Sequence, residues 1–263
     1  MREGSSGVHL ALLGGFECVY GGRSVSLPLG SQRLLALLAL RDAGVHRTVA
    51  GELLWPDSIP GRAAANLRSA LWRGRRLGTT TMIYSAGPRL RLTPAVDVDL
   101  RQILDQHRHL SDSQPSYHSI SDHVALVDVL TRQLLPEWSE DWLVFERGRW
   151  HQFRLHALEN LAGQLLTEER YLDALQTALA VTAIEPTRET AHRIVIEVHL
   201  TEGNTASALK HYHNYRELLH RELGVLPSAR LDQLVQGSLA GSAPANATAT
   251  AMSLCTPTQR SQT

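Results

Sequence analysis

The stretch "AANLRSALWRGRRLG", residues 64–78, decides how the first part of this chain is interpreted. It contains several arginines and no carboxylate: Arg68, Arg73, Arg75 and Arg76. It lies inside a longer segment, residues 58–96, that holds seven arginines and no Asp or Glu. Neighbouring carboxylates therefore cannot neutralise these guanidinium groups, and the pattern indicates a polyanionic partner.

Charge is unevenly distributed along the 263 residues, although 26 basic and 26 acidic side chains cancel overall. Residues 1–95 carry 12 arginines and five acidic residues, so their net charge is +7 and that of the remainder is −7. This division predicts two parts with different partners. The two cysteines, Cys18 and Cys255, are far apart, so we expect neither a disulfide framework nor a cysteine metal site, and we expect a cytoplasmic protein. No apolar stretch is long enough to predict a membrane span or signal peptide.

The first region has the pattern of a small antiparallel sheet. "VHLALLG", residues 8–14, is rich in β-prone side chains, as is "FECVYGGRSVSL", residues 16–27. Gly21 and Gly22 divide the second run and tolerate the positive φ of a two-residue hairpin turn. We therefore expect a strand followed by a hairpin.

Three helices are predicted to follow this sheet. Ser31 is expected to cap a first helix over residues 32–42, and Thr48 a second, short helix that ends before Pro56. A third helix is predicted to begin near Pro60 and to include the arginine-rich stretch.

The third helix separates into two faces when residues are placed about 100° apart. One face is apolar and is predicted to be buried: Ala63, Ala64, Leu67, Ala70, Leu71, Gly74 and Leu77. The other is polar and basic: Arg62, Ala65, Asn66, Ser69, Trp72, Arg73 and Arg76, with Arg68 and Arg75 on one flank. Arginine can bind guanine or phosphate, asparagine can read adenine, and small residues permit close approach. This face therefore has the side chains of a major-groove reader.

A basic hairpin is predicted after this helix. "MIYSAGPRLRL", residues 82–92, consists of two alternating runs, with Arg89 and Arg91 on one face and Leu90 and Leu92 on the other. Three helices closed by such a hairpin form a winged helix-turn-helix, and the preceding sheet is typical of the OmpR-like subtype. The alternative interpretation is an ordinary solvated basic surface.

The second half is predicted to be helical from Val124 onward. Residues 93–99 are expected to form a connector, Asp99 to cap a helix, and residues 111–123 to form a loop. "LLTEERYLDAL", residues 165–175, matches "HLTEGNTASAL" 34 positions later, which is the tetratricopeptide period. Such repeats build surfaces for protein segments, although a purely structural scaffold is the open alternative.

Neither catalysis nor a cofactor is predicted. The pairs His107/His109 and His211/His213 invite a metal interpretation, but alternate helical residues point in different directions and no ligand cluster completes a shell. No nucleophile elbow, phosphate-binding loop or dinucleotide fingerprint occurs. We therefore expect neither an enzyme nor a metalloprotein.

Taken together, the motifs resemble the SARP family, the actinobacterial antibiotic regulatory proteins. The resemblance covers about residues 8–237 and rests on the following stretches: "LLGGFECVYGG", "RLLALLALRDAG", "ELLWP", "AANLRSALWRGRR", "DVDL", "LLPEWSEDWLVFERGRW", "AIEPTRE" and "HLTEGNTASALKHYHNYRELLHRELGVLPS". The family joins an OmpR-like winged helix to a bacterial transcriptional activator domain. Gly74 departs from the larger apolar residue that the family usually carries there.

The resemblance implies a transcriptional activator that binds direct repeats of double-stranded DNA as a side-by-side homodimer and contacts RNA polymerase. It implies a winged helix in residues 1–95, a tetratricopeptide-like activator domain in residues 99–237 and a disordered tail in residues 238–263. The residues expected to meet DNA are Arg62, Asn66, Arg68, Ser69, Trp72, Arg73, Arg75 and Arg76 in the third helix, with Arg89 and Arg91 in the wing. The alternative is a tetratricopeptide adaptor whose winged helix binds protein.

Overall fold

The computed structural model describes residues 7–112 and 120–241, and the side chains of residue 86 and of residues 107–122 and 238–241 lie outside that description. The chain divides into two compact units, Met1–Asn160 and Leu161–Thr263. The fold is mostly helical with small sheets: an OmpR-like winged helix-turn-helix followed by tetratricopeptide-like helices, as the sequence predicts.

The winged helix begins with the predicted strands and three helices. In chain order these elements are β1 (Val8–Ala11), β2 (Glu17–Tyr20), β3 (Arg23–Ser24), α1 (Leu29–Ala39), β4 (Val45–His46), α2 (Arg47–Leu54) and α3 (Pro60–Gly74). The strands and helices that follow are β5 (Arg76–Leu77), β6 (Thr80–Thr81), β7 (Ile83–Ala86), β8 (Arg89–Leu92), β9 (Val96–Val98), α4 (Asp99–Asp112), α5 (Ile120–Thr131) and α6 (Asp141–Thr167).

The N-terminal sheet has the strand order β3-β2-β1-β9, with β9 parallel to β1. The expectation that residues 93–99 are a plain connector is therefore wrong. Val96 and Val98 are buried against the sheet, but three residues are too few for the alternation to show in the sequence. Asp99 begins α4, and its carboxylate accepts the backbone N–H groups of Leu12 and Leu13 at 2.9 Å. This carboxylate ties the start of α4 to the end of β1.

Two predicted helix caps are wrong. Helix α1 begins at Leu29 after Pro28, so Ser31 lies inside its first turn, fully buried. The Ser31 hydroxyl donates to the Ala70 carbonyl of α3 at 3.0 Å instead of capping its own helix. Helix α2 begins at Arg47, and the Thr48 hydroxyl lies 2.7 Å from His46 Nδ1. Helix α1 thus starts directly after Pro28, and α2 starts directly after strand β4.

Helix α3 begins at Pro60 as predicted, and most of its predicted apolar face is buried: Ala63, Leu67, Ala70, Leu71 and Gly74. Ala64, however, is exposed. The helix ends at Gly74, so Arg76 and Leu77 lie in β5, which pairs with β6. The expectation that both residues continue the helix is wrong. Gly78, with φ of +57°, lies in the tight turn that joins β5 to β6, and these two strands form a small hairpin directly after the helix.

The predicted wing is present as the antiparallel pair β7 and β8. Strand β4 adds to the free edge of β8, so the wing belongs to a sheet of order β4-β8-β7. Leu90 is buried on one face of this sheet, whereas Arg89 and Arg91 are exposed on the other. The predicted alternation of the wing is therefore confirmed.

The segment after α5 packs directly on the winged helix within the first unit. The Leu135 N–H donates to the Leu12 carbonyl at 2.9 Å, and Phe16 stacks on Trp138 with ring centroids 5.7 Å apart. Two ion pairs join α1 and the residues that follow it to the region where α6 starts: Arg33 with Glu140, and Arg41 with Glu146. Residues 111–112 and 120–123, expected in a loop, belong to α4 and α5, and residues 113–119 lie outside the described residues.

The second unit contains the helices of the predicted repeat: α7 (Tyr171–Ile184), α8 (Glu189–Thr201), α9 (Thr205–Leu223) and α10 (Ala229–Gly241). Helix α6 ends at Thr167 and α8 at Thr201, while α7 begins at Tyr171 and α9 at Thr205, so equivalent boundaries are 34 residues apart. Helix α8 packs against both α7 and α9. Residues 238–241, expected in a disordered tail, continue α10, and residues 242–263 lie outside the described residues.

The close approach of α1 and α3 predicts a position-specific effect of glycine replacement. A Cβ at Gly74 would lie 3.2 Å from Ser31 Cβ, whereas a Cβ at Gly61, also in α3, would meet nothing within 4 Å. We expect Gly74→Leu to lower the free energy of unfolding by about 1–3 kcal/mol, because the added side chain overpacks this contact. Urea unfolding of the full chain measures this free energy. Gly61→Leu is the control, and equal stability of both variants would contradict the contact.

Candidate nucleic-acid interface

The solvent-facing side of α3 carries the residues that the sequence assigned to binding. Arg62, Arg68, Ser69 and Arg73 are exposed, and Asn66 is half-buried. The indole of Trp72 is 83% exposed, which is unusual for a tryptophan. Burial of the opposite side of the helix holds these groups outward, so the basic face is a consequence of how α3 packs.

The arginines at and after α3 lack carboxylate partners. Among residues 7–112 and 120–241, no ion pair involves Arg62, Arg68, Arg73, Arg75 or Arg76. Arginines elsewhere in the same unit do have such partners: Arg33 with Glu140, Arg41 with Glu146, and Arg101 with Asp42. The unneutralised charge is thus concentrated on one side of the winged helix, where it can attract a polyanion.

A concave site lies between the end of α3 and the wing, with a cavity volume of about 390 Å³. We call it the arginine cavity. Its lining residues are Arg47, Arg68, Leu71, Trp72, Arg75, Arg76, Ile83 and Ser85. The lining therefore contains four guanidinium groups, an indole and a hydroxyl, and no carboxylate. Such a lining suits an anionic ligand with some apolar surface.

Arg47 belongs to this cavity although the sequence analysis did not select it. Its guanidinium donates to the Ser85 hydroxyl at 2.7 Å, and its backbone N–H donates to the Pro88 carbonyl at 2.8 Å. Both acceptors are in the wing. Its position beside Thr48, at the start of the second predicted helix, was the feature of the sequence from which Arg47 could have been selected.

The two wing arginines lie apart from the cavity. Cross-strand register places Arg89 and Arg91 on the sheet face opposite Ser85. The Arg89 guanidinium donates to the Ala43 carbonyl at 3.5 Å, and a Cβ at Gly44 would lie 2.3 Å from Arg91 Cγ. These side chains therefore run over the turn that follows α1. The structure brings Arg68, Trp72, Arg75 and Arg76 together, and it does not bring Arg89 and Arg91 to them.

His211, one of the histidines for which a metal interpretation was weighed, is hydrogen-bonded to another histidine, His192. His192 Nδ1 lies 2.9 Å from His211 Nε2, a distance that leaves no room for a metal between the two nitrogens. Burial, with His192 and His199 nearby, lowers the pKa of His211 to about 4. No group of three or more potential metal-ligating residues occurs in the described ranges, and the side chains of His107 and His109 lie outside them.

No helix in the described part of the chain combines the length and the apolar character that a membrane crossing requires.

Residues 127–237 match the bacterial transcriptional activator domain, BTAD. Two curated relatives are similar along most of the chain. Regulatory protein AfsR of Streptomyces coelicolor is 29% identical over 249 residues, which are 89% of this chain and 24% of AfsR. Regulatory protein AfsR of Streptomyces griseus is 28% identical over 240 residues, which are 87% of this chain and 24% of that protein. The chain thus spans about a quarter of the length of these relatives.

A solved structure shares the fold. It is Mycobacterium tuberculosis EmbR in complex with a low affinity phosphopeptide, which matches with a TM-score of 0.72 and 18% identity over 89% of this chain and 65% of the EmbR chain. The activator-domain match and the AfsR relatives support the resemblance of this chain to the SARP-type transcriptional regulators, and the EmbR structure shows a shared fold.

Proposed function

We propose that this protein is a sequence-specific DNA-binding transcriptional activator that acts at direct repeats in promoters. The observation that carries the proposal is the exposed face of α3, on which several guanidinium groups lack carboxylate partners in the described part of the chain. No catalytic residue or cofactor takes part in this function. The protein would act on DNA in the cytoplasm.

The chemistry of the α3 face fits the major groove. Arg62 and Arg73 can each hold the O6 and N7 atoms of guanine, and Asn66 can pair with the N6 and N7 atoms of adenine. Ala65 and Ser69 are small and exposed, so the helix backbone can approach the bases closely. Arg89 and Arg91 are exposed on the wing sheet and are proposed to contact the adjacent DNA backbone.

The proposal assigns activation to the helical part of the chain. The activator-domain match over residues 127–237 supports contact with RNA polymerase, and the family resemblance supports a homodimer on two direct repeats. We retain the functional division into DNA binding by residues 1–95 and activation by residues 99–237. Residues 134–146 nevertheless pack on the winged helix, so the first part of the region assigned to activation belongs to the same compact unit as the winged helix.

Replacing Arg73 tests the proposed reading of bases. We expect Arg73→Ala to weaken binding to a selected promoter site by roughly 1–3 kcal/mol, because a bidentate contact to a guanine is lost. Folding should be unchanged, since Arg73 is exposed. Fluorescence anisotropy with a labelled duplex measures the affinity. Arg230→Ala, which removes an exposed arginine from α10, is the control. Parental affinity in the Arg73→Ala variant would contradict the assignment of this face.

Salt dependence and the number of repeats test the mode of binding. With four to six phosphate contacts per protomer, log K should fall by roughly 0.9 per contact for each tenfold rise in salt. In-vitro transcription with the full chain should be activated from a promoter with two direct repeats and lost when one repeat is scrambled. Activation without DNA binding, or salt-independent binding, would favour a protein-binding adaptor instead.

A further inference from the structure

We infer that the arginine cavity binds one phosphodiester group of the DNA backbone, so that Arg47, Arg68, Arg75 and Arg76 neutralise phosphate while Arg62 and Arg73 read bases. The inference rests on the proposed function and divides its site into two sets of residues with different tasks. The division follows from the positions of the side chains.

Charge is the first observation. The four guanidinium groups line one concave site of about 390 Å³, and the lining contains no Asp or Glu. None of the four arginines has an ion-pair partner in residues 7–112 and 120–241. Like charges gathered in this way repel one another, and a bound anion relieves that repulsion. The cavity is therefore suited to a group with negative charge at its centre.

Preorganisation is the second observation. Arg47 is half-buried, its guanidinium donates a hydrogen bond to the Ser85 hydroxyl, and its backbone N–H donates one to the Pro88 carbonyl, so both the side chain and the start of α2 are anchored to the wing. A guanidinium fixed in this way loses little side-chain entropy when it binds, and its planar donors match phosphate oxygens. Arg47 therefore supplies an anchored cation to which the exposed side chains of Arg68 and Arg75 can add.

The apolar part of the lining favours a nucleotide backbone over a free anion. Leu71 and Ile83 are buried residues that contribute to the cavity wall, and the exposed indole of Trp72 also lines it. These groups have no favourable contact to offer inorganic phosphate. They can pack against the deoxyribose that adjoins a phosphodiester, and the cavity volume lies within the range of sites that hold small organic ligands.

Helix geometry separates the base-reading side chains from this cavity. At about 100° per residue, Arg73 lies roughly 140° around α3 from Arg68. Arg76 is no longer in the helix, because α3 ends at Gly74 and Arg76 begins β5. Arg62, Asn66 and Arg73 do not line the cavity. One phosphate in the cavity therefore does not also contact Arg62 and Arg73. When α3 lies in the major groove, these two arginines face the bases.

The test compares full-length variants on two duplexes, one selected by the protein from random sequence and one scrambled, at several salt concentrations. Arg68→Gln and Arg75→Gln should each weaken binding to both duplexes by a similar factor, and the double variant should reduce the slope of log K against log salt by up to about 0.9, the value for one phosphate. Arg73→Gln is the matched variant on the base-reading side. It should weaken binding to the selected duplex alone, because its contact depends on sequence.

A neutral methylphosphonate placed at successive positions of the selected duplex locates the phosphate. The parent protein should lose affinity at one position in each repeat, and Arg68→Gln should lose less affinity than the parent on substitution at that position. Arg47→Lys should keep the parental salt slope, whereas Arg47→Gln should not. The inference is overturned if the cavity variants lose sequence discrimination with an unchanged slope, or bind both duplexes as the parent does. Failure of the parent itself to bind either duplex would instead overturn the proposed function.

Discussion

The close contact between α1 and α3 is the constraint on which the exposed arginine face of α3 depends. Gly74 has no side chain, so the end of α3 can approach Ser31, which is fully buried and donates a hydrogen bond to Ala70. This contact fixes the rotation of α3 about its axis. Because Leu67 and Leu71 are buried on the same side, the arginines of the helix must point outward. The orientation of the basic face is thus determined by packing and requires no carboxylate partners.

A second consequence concerns the part of the activator domain that follows α5. The ion pairs from Arg33 and Arg41 to the region where α6 starts, together with the Leu135 hydrogen bond to Leu12, join residues 134–146 to the winged helix. The same compact unit therefore includes helix α3 and the first part of the region that matches the bacterial transcriptional activator domain.

The sequence predicted those features that depend on local patterns. The apolar stripe of α3, the alternation of the wing and the 34-residue repeat each follow from neighbouring residues, and the structure confirms them. The sequence pattern could not predict β9. These three residues form a strand only because they pair with β1, where the partner of Val96 is Val8, 88 positions earlier in the chain. The role of Ser31 was missed for a similar reason, since its acceptor, Ala70, belongs to a different helix. Arg47 was missed because its partner Ser85 lies in the wing. Long-range contacts decided each of these cases.

The central claim is that α3 lies in the major groove with its arginines against guanine edges. Protection of guanine N7 from dimethyl sulfate tests it most directly, because N7 is accessible in the major groove and is an atom that arginine contacts. On a duplex selected by the full chain, we expect protected guanines in two repeats on the same face of the DNA, and their protection should be lost in an Arg62/Arg73 double alanine variant. Full reactivity of N7 in a duplex that the protein demonstrably occupies would contradict the account.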